Sequence, residues 1–295
     1  MREEVIISKA LDGVELKGIL VREEEKQKRV VISIHGMATD CMKKREREIA
    51  KKVVEMGIDY YTFNNRGHDI VNYIQKEKGK RELGGTAYEE ISECYEDIVG
   101  TMKMLMGMGY EEFYLMGHSL VSTKLVYTYH QLQERSESEY LDKIKGIMLL
   151  SLIDIPMAVT IYLGENYPAI LTYAKNQERE SNGMILMPEK AFIHPISVKT
   201  FLRYTRDKAD IDFAQYSNQH YAYDILNAID VPLLMRWGTV RELIAQKPDQ
   251  LVDQLTHKIT NHHLDINVIE GADHNYTGKE EELATSIQNF LAKLG

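Results

Sequence analysis

The pentapeptide Gly117-His118-Ser119-Leu120-Val121 lies between an apolar run and an amphipathic one. A serine hydroxyl becomes a useful nucleophile when a base takes its proton and the charge developing on its target is stabilised. A sharp strand-to-helix turn serves both needs. It lifts the hydroxyl above a sheet, and the helix that follows offers backbone N–H groups and the positive end of its dipole. Such a turn wants small residues on both sides of the serine. Gly117 provides one; Val121 stands where the second is expected.

The base must reach that hydroxyl from a loop at the same sheet edge. Glu270-Gly271-Ala272-Asp273-His274 follows an apolar run and precedes the last helical pattern, which makes His274 the candidate. A carboxylate is then needed to orient the imidazole. It is expected near Trp237-Gly238-Thr239-Val240-Arg241-Glu242, where the commonest spacing falls on Arg241. Glu242, one residue on and one methylene longer than Asp, is the first candidate. Asp154, hung from the neighbouring strand, is its rival. The order serine, acid, histidine along the chain suits a hydrolase of this architecture.

His35-Gly36-Met37 closes another apolar run. A glycine there lets the backbone bend so that an N–H points into the pocket. The backbone N–H groups of Met37 and Leu120 are the expected oxyanion hole. In Asn64-Asn65-Arg66-Gly67-His68, Arg66 is expected to brace a loop by bridging backbone carbonyls. His257, His262 and His263 lie on a helix end and a polar loop without cysteine or clustered carboxylates, a poor metal site. Cys41 and Cys94 read as packing residues on helices.

These residues need a sheet to hold them. Residues 5–8 and 14–21 read as an antiparallel pair joined by a turn at 11–13. Near-continuous apolar runs at 29–35, 58–64, 112–116, 144–151, 231–237 and 264–269 read as strands of a parallel sheet covered on both faces. Helical patterns at 42–56, 88–108, 120–133, 245–258 and 279–293 alternate with them. This is an α/β chain with a doubly wound, mostly parallel sheet and right-handed crossovers. Roughly 75 residues between the fourth and fifth of these runs contain no clear buried strand, and an unstructured loop of that length is improbable. Residues 155–226 are therefore read as a helical cap inserted over the carboxyl edge of a core made of residues 1–154 and 227–295.

Composition narrows the function. Of 295 residues 44% are hydrophobic, enough for a sizeable core, and the net charge of −9 argues against wrapping a polyanion. Two cysteines make neither a disulfide framework nor a zinc set, so the cytoplasm is the default. The charged N-terminus lacks a signal peptide's apolar run, and no stretch of eighteen apolar residues suggests a spanning helix. Nucleic acid and membrane are thus not expected partners, and the oligomeric state is not legible.

The set His35-Gly36, Asn65-Arg66-Gly67-His68, Gly117-His118-Ser119-Leu120 and Gly271-Ala272-Asp273-His274 resembles the α/β-hydrolase superfamily over nearly the whole chain. Gly85-Thr86-Ala87-Tyr88-Glu89 and the tail from Gly271 to Glu280 look like a branch of small serine esterases that includes siderophore-ester hydrolases. The resemblance implies the α/β-hydrolase fold, a Ser-His-acid triad and no cofactor. It carries over onto Ser119 and His274; Arg241 in the habitual acid position and Val121 in the elbow depart from it. The expected function is hydrolysis of a carboxylic ester through an acyl-enzyme, with thioester, lactone and amide bonds open to the same machinery. The expected substrate is a small acyl or aromatic ester, because Tyr162, Tyr167, Tyr173, Tyr204, Tyr216, Tyr221 and Tyr223 give the cap an aromatic character. The alternatives are a non-catalytic ligand-binding protein on the same scaffold, and an acyltransferase or C–C hydrolase with the same triad.

Overall fold

The computed structural model describes residues 1–76, 79–205 and 212–295. In chain order it forms β1 (Arg2–Lys9), β2 (Glu15–Arg22), β3 (Arg29–Ile34), α1 (Lys44–Val54), β4 (Asp59–Phe63), β5 (Asn72–Gln75) and β6 (Arg81–Gly84). Then come α2 (Cys94–Gly107), β7 (Glu112–His118), α3 (Leu120–Glu134), α4 (Ser138–Leu141) and β8 (Ile144–Leu150). After β8 run α5 (Ile155–Leu163), α6 (Tyr167–Arg179), α7 (Val198–Arg203) and α8 (Asp224–Asn227). The chain closes with β9 (Leu233–Gly238), α9 (Pro248–Lys258), β10 (Leu264–Ile269) and α10 (Glu280–Ala292).

Eight strands form one sheet in the order β1-β2-β4-β3-β7-β8-β9-β10, and β5 pairs with β6 in a separate hairpin. β2 is antiparallel to both β1 and β4. Every pairing from β4 across to β10 is parallel. The apolar runs explain this arrangement, because a strand buried on both faces must feed two cores. Along β7, Phe113 and Leu115 enter one cluster while Tyr114 and Met116 enter the other. β8 does the same with Ile147 and Leu149 against Met148 and Leu150. On the first side the sheet packs against α2 and α3, which contribute Ile98, Met102, Leu125 and Val126. On the second it packs against Ile49 and Val53 of α1 and Leu283 and Ile287 of α10.

The first cluster continues without a break into the segment between β8 and β9, through Ile155, Val159, Phe201, Leu202 and Tyr204. Polar ties fasten that segment to the body. Ser197 N–H donates to Ala87 O, and the hydroxyls of Tyr204 and Tyr216 donate to Glu89 and to Leu152 O. Of the seven tyrosines that give this segment its aromatic character, Tyr204, Tyr216 and Tyr223 are fully buried. Tyr162 is exposed. Two local expectations also shift. The second helix starts at Cys94 rather than 88, and Cys41 lies in the turn before α1 rather than on a helix. Among the described residues no helix is long and apolar enough to cross a membrane.

Candidate active site

β7 ends and α3 begins at Ser119, whose φ of 58° and ψ of −125° lie far outside the regions an ordinary L-residue adopts. The strain is affordable because Gly117 has no side chain. A Cβ there would stand 2.9 Å from the Val121 carbonyl, so this glycine alone lets helix and strand approach. Val121 is accommodated as a core residue, 1% exposed. The turn is pinned from behind: Ser119 N–H donates to Leu150 O at 2.8 Å, and Ser122 Oγ donates to the carbonyls of Gly117 and Leu150.

The loop after β10 brings His274 to this serine, with Nε2 at 2.9 Å from Ser119 Oγ. The far side of the ring meets Glu242, with Nδ1 at 2.6 Å from Oε2. A carboxylate only accepts, so Nδ1 carries the proton and Nε2 presents its lone pair to the hydroxyl. Glu242's other oxygen, Oε1, accepts from Gly238 N–H and from Ser151 Oγ, each at 2.7 Å. Its side chain is 1% exposed. Arg241 explains how an acid one residue late arrives in place. With φ of 56° it takes the left-handed conformation and turns the chain back, so the longer glutamate reaches toward the end of β9. Asp154, the rival, caps α5 by accepting the Met157 N–H at 3.0 Å.

Residues without an obvious motif complete the frame. Gly238 lets the histidine loop lie directly on the end of β9, since a Cβ there would stand 2.3 Å from the Ala272 carbonyl oxygen. Ser151, itself at φ 49°, stands 3.0 Å from the Tyr276 hydroxyl, which donates to Arg236 O at 2.9 Å. Burial pushes the Tyr276 phenol up, so it remains a donor. His118 Nε2 lies 2.7 Å from the carbonyl oxygen of His274 and must donate to it. Burial pushes its pKa well down, so the ring stays neutral. Position 36 must be glycine here, because a Cβ would stand 2.9 Å from His118 Nδ1 and 3.2 Å from Ser119 Cβ. The backbone N–H groups of Met37 and Leu120 have no hydrogen-bond partner among the described residues. That of Leu120 opens α3, where helical geometry provides no acceptor.

Thr86 ties the surrounding loops by accepting from Ala38 N–H at 2.8 Å and donating to Gly67 O at 3.0 Å. Arg66 does not bridge carbonyls as expected. Its guanidinium is shared by the carboxylates of Asp97, Asp12 and Glu93, at 2.8 to 3.0 Å. Carboxylates match the planar fork better than single carbonyls and neutralise its charge in a buried site. His257 lies on α9 with Nδ1 against Asp253 O, and His262 and His263 lie on the exposed loop before β10. Among the described residues no group of three or more histidine, cysteine, aspartate or glutamate side chains is placed to hold a metal.

No family model matches the chain, and no curated protein matches it. Solved structures do. Est1E from Butyrivibrio proteoclasticus, with ferulic acid bound, superimposes with a TM-score of 0.67 at 14% identity, covering 98% of each chain. A thermostable carboxyl esterase from Bacillus coagulans, in complex with glycerol, gives 0.65 at 14% identity over 100% of this chain and 99% of that one. Mouse alpha/beta hydrolase domain-containing protein 10 gives 0.63 at 13% identity over 99% of this chain and 100% of that one. With the mixed eight-stranded sheet and its two helical layers, these likenesses identify the architecture: the chain has the α/β-hydrolase fold.

Proposed function

We propose that the chain is a serine hydrolase that cleaves carboxylic esters of small acyl or aromatic molecules. The observation that carries this reading is the unbroken chain from Ser119 Oγ through the His274 ring to Glu242, with contacts of 2.9 and 2.6 Å. His274 Nε2 takes the Ser119 proton as Oγ attacks the ester carbonyl carbon, and Glu242 holds the resulting imidazolium. The oxyanion settles between the N–H groups of Met37 and Leu120. His274 then gives its proton to the departing alkoxide, the C–O bond breaks, and an acyl-enzyme remains. Water, deprotonated by His274, releases the acid and restores Ser119.

In this reading residues 155–226 form the cap over a core of residues 1–154 and 227–295, and the cap selects the acyl group. The esterase neighbours support an ester substrate. Two buried free thiols, Cys41 and Cys94, suit the cytoplasm. The test is reaction with a fluorophosphonate probe, followed by a screen of p-nitrophenyl esters. The wild type should label and hydrolyse, and Ser119→Ala should do neither. A wild type that neither labels nor turns over any ester would favour a ligand-binding protein instead.

A further inference from the structure

The glycine that lets the backbone pass beside Ser119 also leaves it free to turn. A Cβ at position 36 would stand 3.2 Å from Ser119 Cβ and 2.9 Å from His118 Nδ1, so a side chain there has no room. Glycine is also the residue whose backbone turns most freely. The peptide joining Gly36 to Met37 can flip by changing ψ of the first residue and φ of the second in opposite senses. The C=O and N–H of a trans peptide leave its plane in opposite directions. In one orientation the Met37 N–H faces the place where an oxyanion would form. In the other the Gly36 carbonyl oxygen faces it and repels the charge.

The turn is pinned on both sides of Met37. On the far side Ala38, at φ 51°, donates its N–H to Thr86 Oγ1 at 2.8 Å, which fixes the next peptide. On the near side the His35 ring meets the Gly36 carbonyl, with Nδ1 2.8 Å from the oxygen. A carbonyl only accepts, so Nδ1 carries the proton and donates it. The ring is fully buried, and that burial keeps it neutral, with Nε2 as an acceptor. Nε2 has no hydrogen-bond partner among the described residues. A leucine would fill the same place without burying an unpaired acceptor, so packing alone does not call for histidine.

We infer that His35 is a positioning residue for the oxyanion site: its Nδ1–H holds the Gly36 carbonyl so that the Met37 N–H stays turned toward the carbonyl that Ser119 attacks. The inference rests on the reaction proposed above. His35 exchanges no proton in that reaction and acts only through the peptide it holds. A donor fixed before the substrate arrives needs no reorganisation as charge develops.

The test compares the wild type with His35→Leu, His35→Gln and His35→Asn on an activated ester, with kcat expressed per site titrated by a phosphonate. Leucine has similar bulk and no donor. Glutamine carries its amide to where imidazole has Nε2, and asparagine places its Nδ2 where imidazole has Nδ1. His35→Leu and His35→Gln should each lower kcat at least about tenfold with KM within about threefold, since removing an oxyanion donor outright costs about 10²–10³. His35→Asn should recover most of that loss. Inhibition by a trifluoromethyl ketone, whose adduct with Ser119 carries the oxyanion, should weaken in the two slow variants by the same factor as kcat/KM. Far-UV circular dichroism checks that the variants fold; a merely structural role would lower the number of titratable sites and leave kcat per site alone. Wild-type kcat per site in His35→Gln or in folded His35→Leu overturns the assignment of His35 alone. So does a His35→Asn as slow as those two. A wild type that turns over no ester overturns it together with the proposed reaction.

Discussion

Replacing Glu242 by Gln keeps volume and shape but removes an acceptor where three donors converge. Oε2 accepts from His274 Nδ1, and Oε1 accepts from Gly238 N–H and Ser151 Oγ. A glutamine has one oxygen to serve both sets. If its oxygen faces Gly238, its NH₂ faces His274, and the ring must move its proton from Nδ1 to Nε2. That tautomer cannot take the Ser119 proton. If the oxygen faces His274, the NH₂ opposes the buried Gly238 N–H, which loses its partner at about 1–3 kcal/mol. The second arrangement costs stability and the first costs catalysis. Losing the orienting carboxylate in a comparable triad lowers turnover by up to about 10⁴. We expect at least about 100-fold here, equivalent to roughly 2.7 kcal/mol of transition-state stabilisation. The assay is turnover of an activated ester, normalised to active sites titrated with a phosphonate. Asp154→Asn, which alters the cap of α5, should leave turnover within a few-fold. The assignment is refuted if Asp154→Asn abolishes turnover and Glu242→Gln does not.

Three further outcomes follow from the same geometry. Ser151→Ala removes one donor from Glu242 and should lower kcat about tenfold, near 1.4 kcal/mol, with KM little changed; an unaltered kcat would show that Gly238 N–H suffices alone. Arg66→Met strands the buried Asp97 carboxylate and should lower stability by about 3–5 kcal/mol in denaturant unfolding, whereas a loss below about 1 kcal/mol would mean the cluster contributes little. Burial pushes His35 down to about 4, so between an unfolded value near 6.5 and that point the unfolded chain takes up a proton the folded chain refuses. Its contribution is full above pH 6.5 and falls by about 3 kcal/mol as pH drops to 4; His35→Asn should flatten that fall, and parallel pH–stability curves for both proteins would refute it.

The strands were legible because burial on both faces leaves an unbroken apolar run, and a run is what a sequence displays most plainly. Ser119 and His274 were legible for a related reason: each follows such a run, so the end of the run locates the residue. The β5–β6 hairpin was not, since its two four-residue strands are too short for alternation to register. The clustering of Asp12, Glu93 and Asp97 on Arg66 was hidden for another reason. It joins residues distant in sequence, and which carboxylates the backbone turns inward is not written locally. Ser151 and Tyr276 left no signal at all, because a serine after one strand and a tyrosine two residues past a histidine have many ordinary uses. The roles of the tyrosines between β8 and β9 were not legible either. A tyrosine suits a binding site and a buried tie equally well, and composition does not separate them.

Backbone strain links these hidden residues to the plain ones. Ser119, Ser151, Arg241 and Tyr276 are all non-glycine residues at positive φ, between 49° and 59°. Three of them line one polar path: the Ser119 hydroxyl donates to His274, His274 donates to Glu242, the Ser151 hydroxyl donates to the other Glu242 oxygen, and the Tyr276 hydroxyl, donating to Arg236 O, stands 3.0 Å from Ser151 Oγ. Each such conformation costs on the order of 1–3 kcal/mol and persists only where its surroundings over-determine it. Glycine would relieve the strain at any of the four, but at Ser119, Ser151 and Tyr276 it would delete the hydroxyl that the path requires. Arg241 is the exception, since its exposed side chain joins no step of the path. Its strain serves only to place Glu242. Arg241→Gly should therefore stabilise the fold or leave it unchanged. It should also loosen the turn that holds the carboxylate against Gly238 N–H, so that activity falls while stability does not.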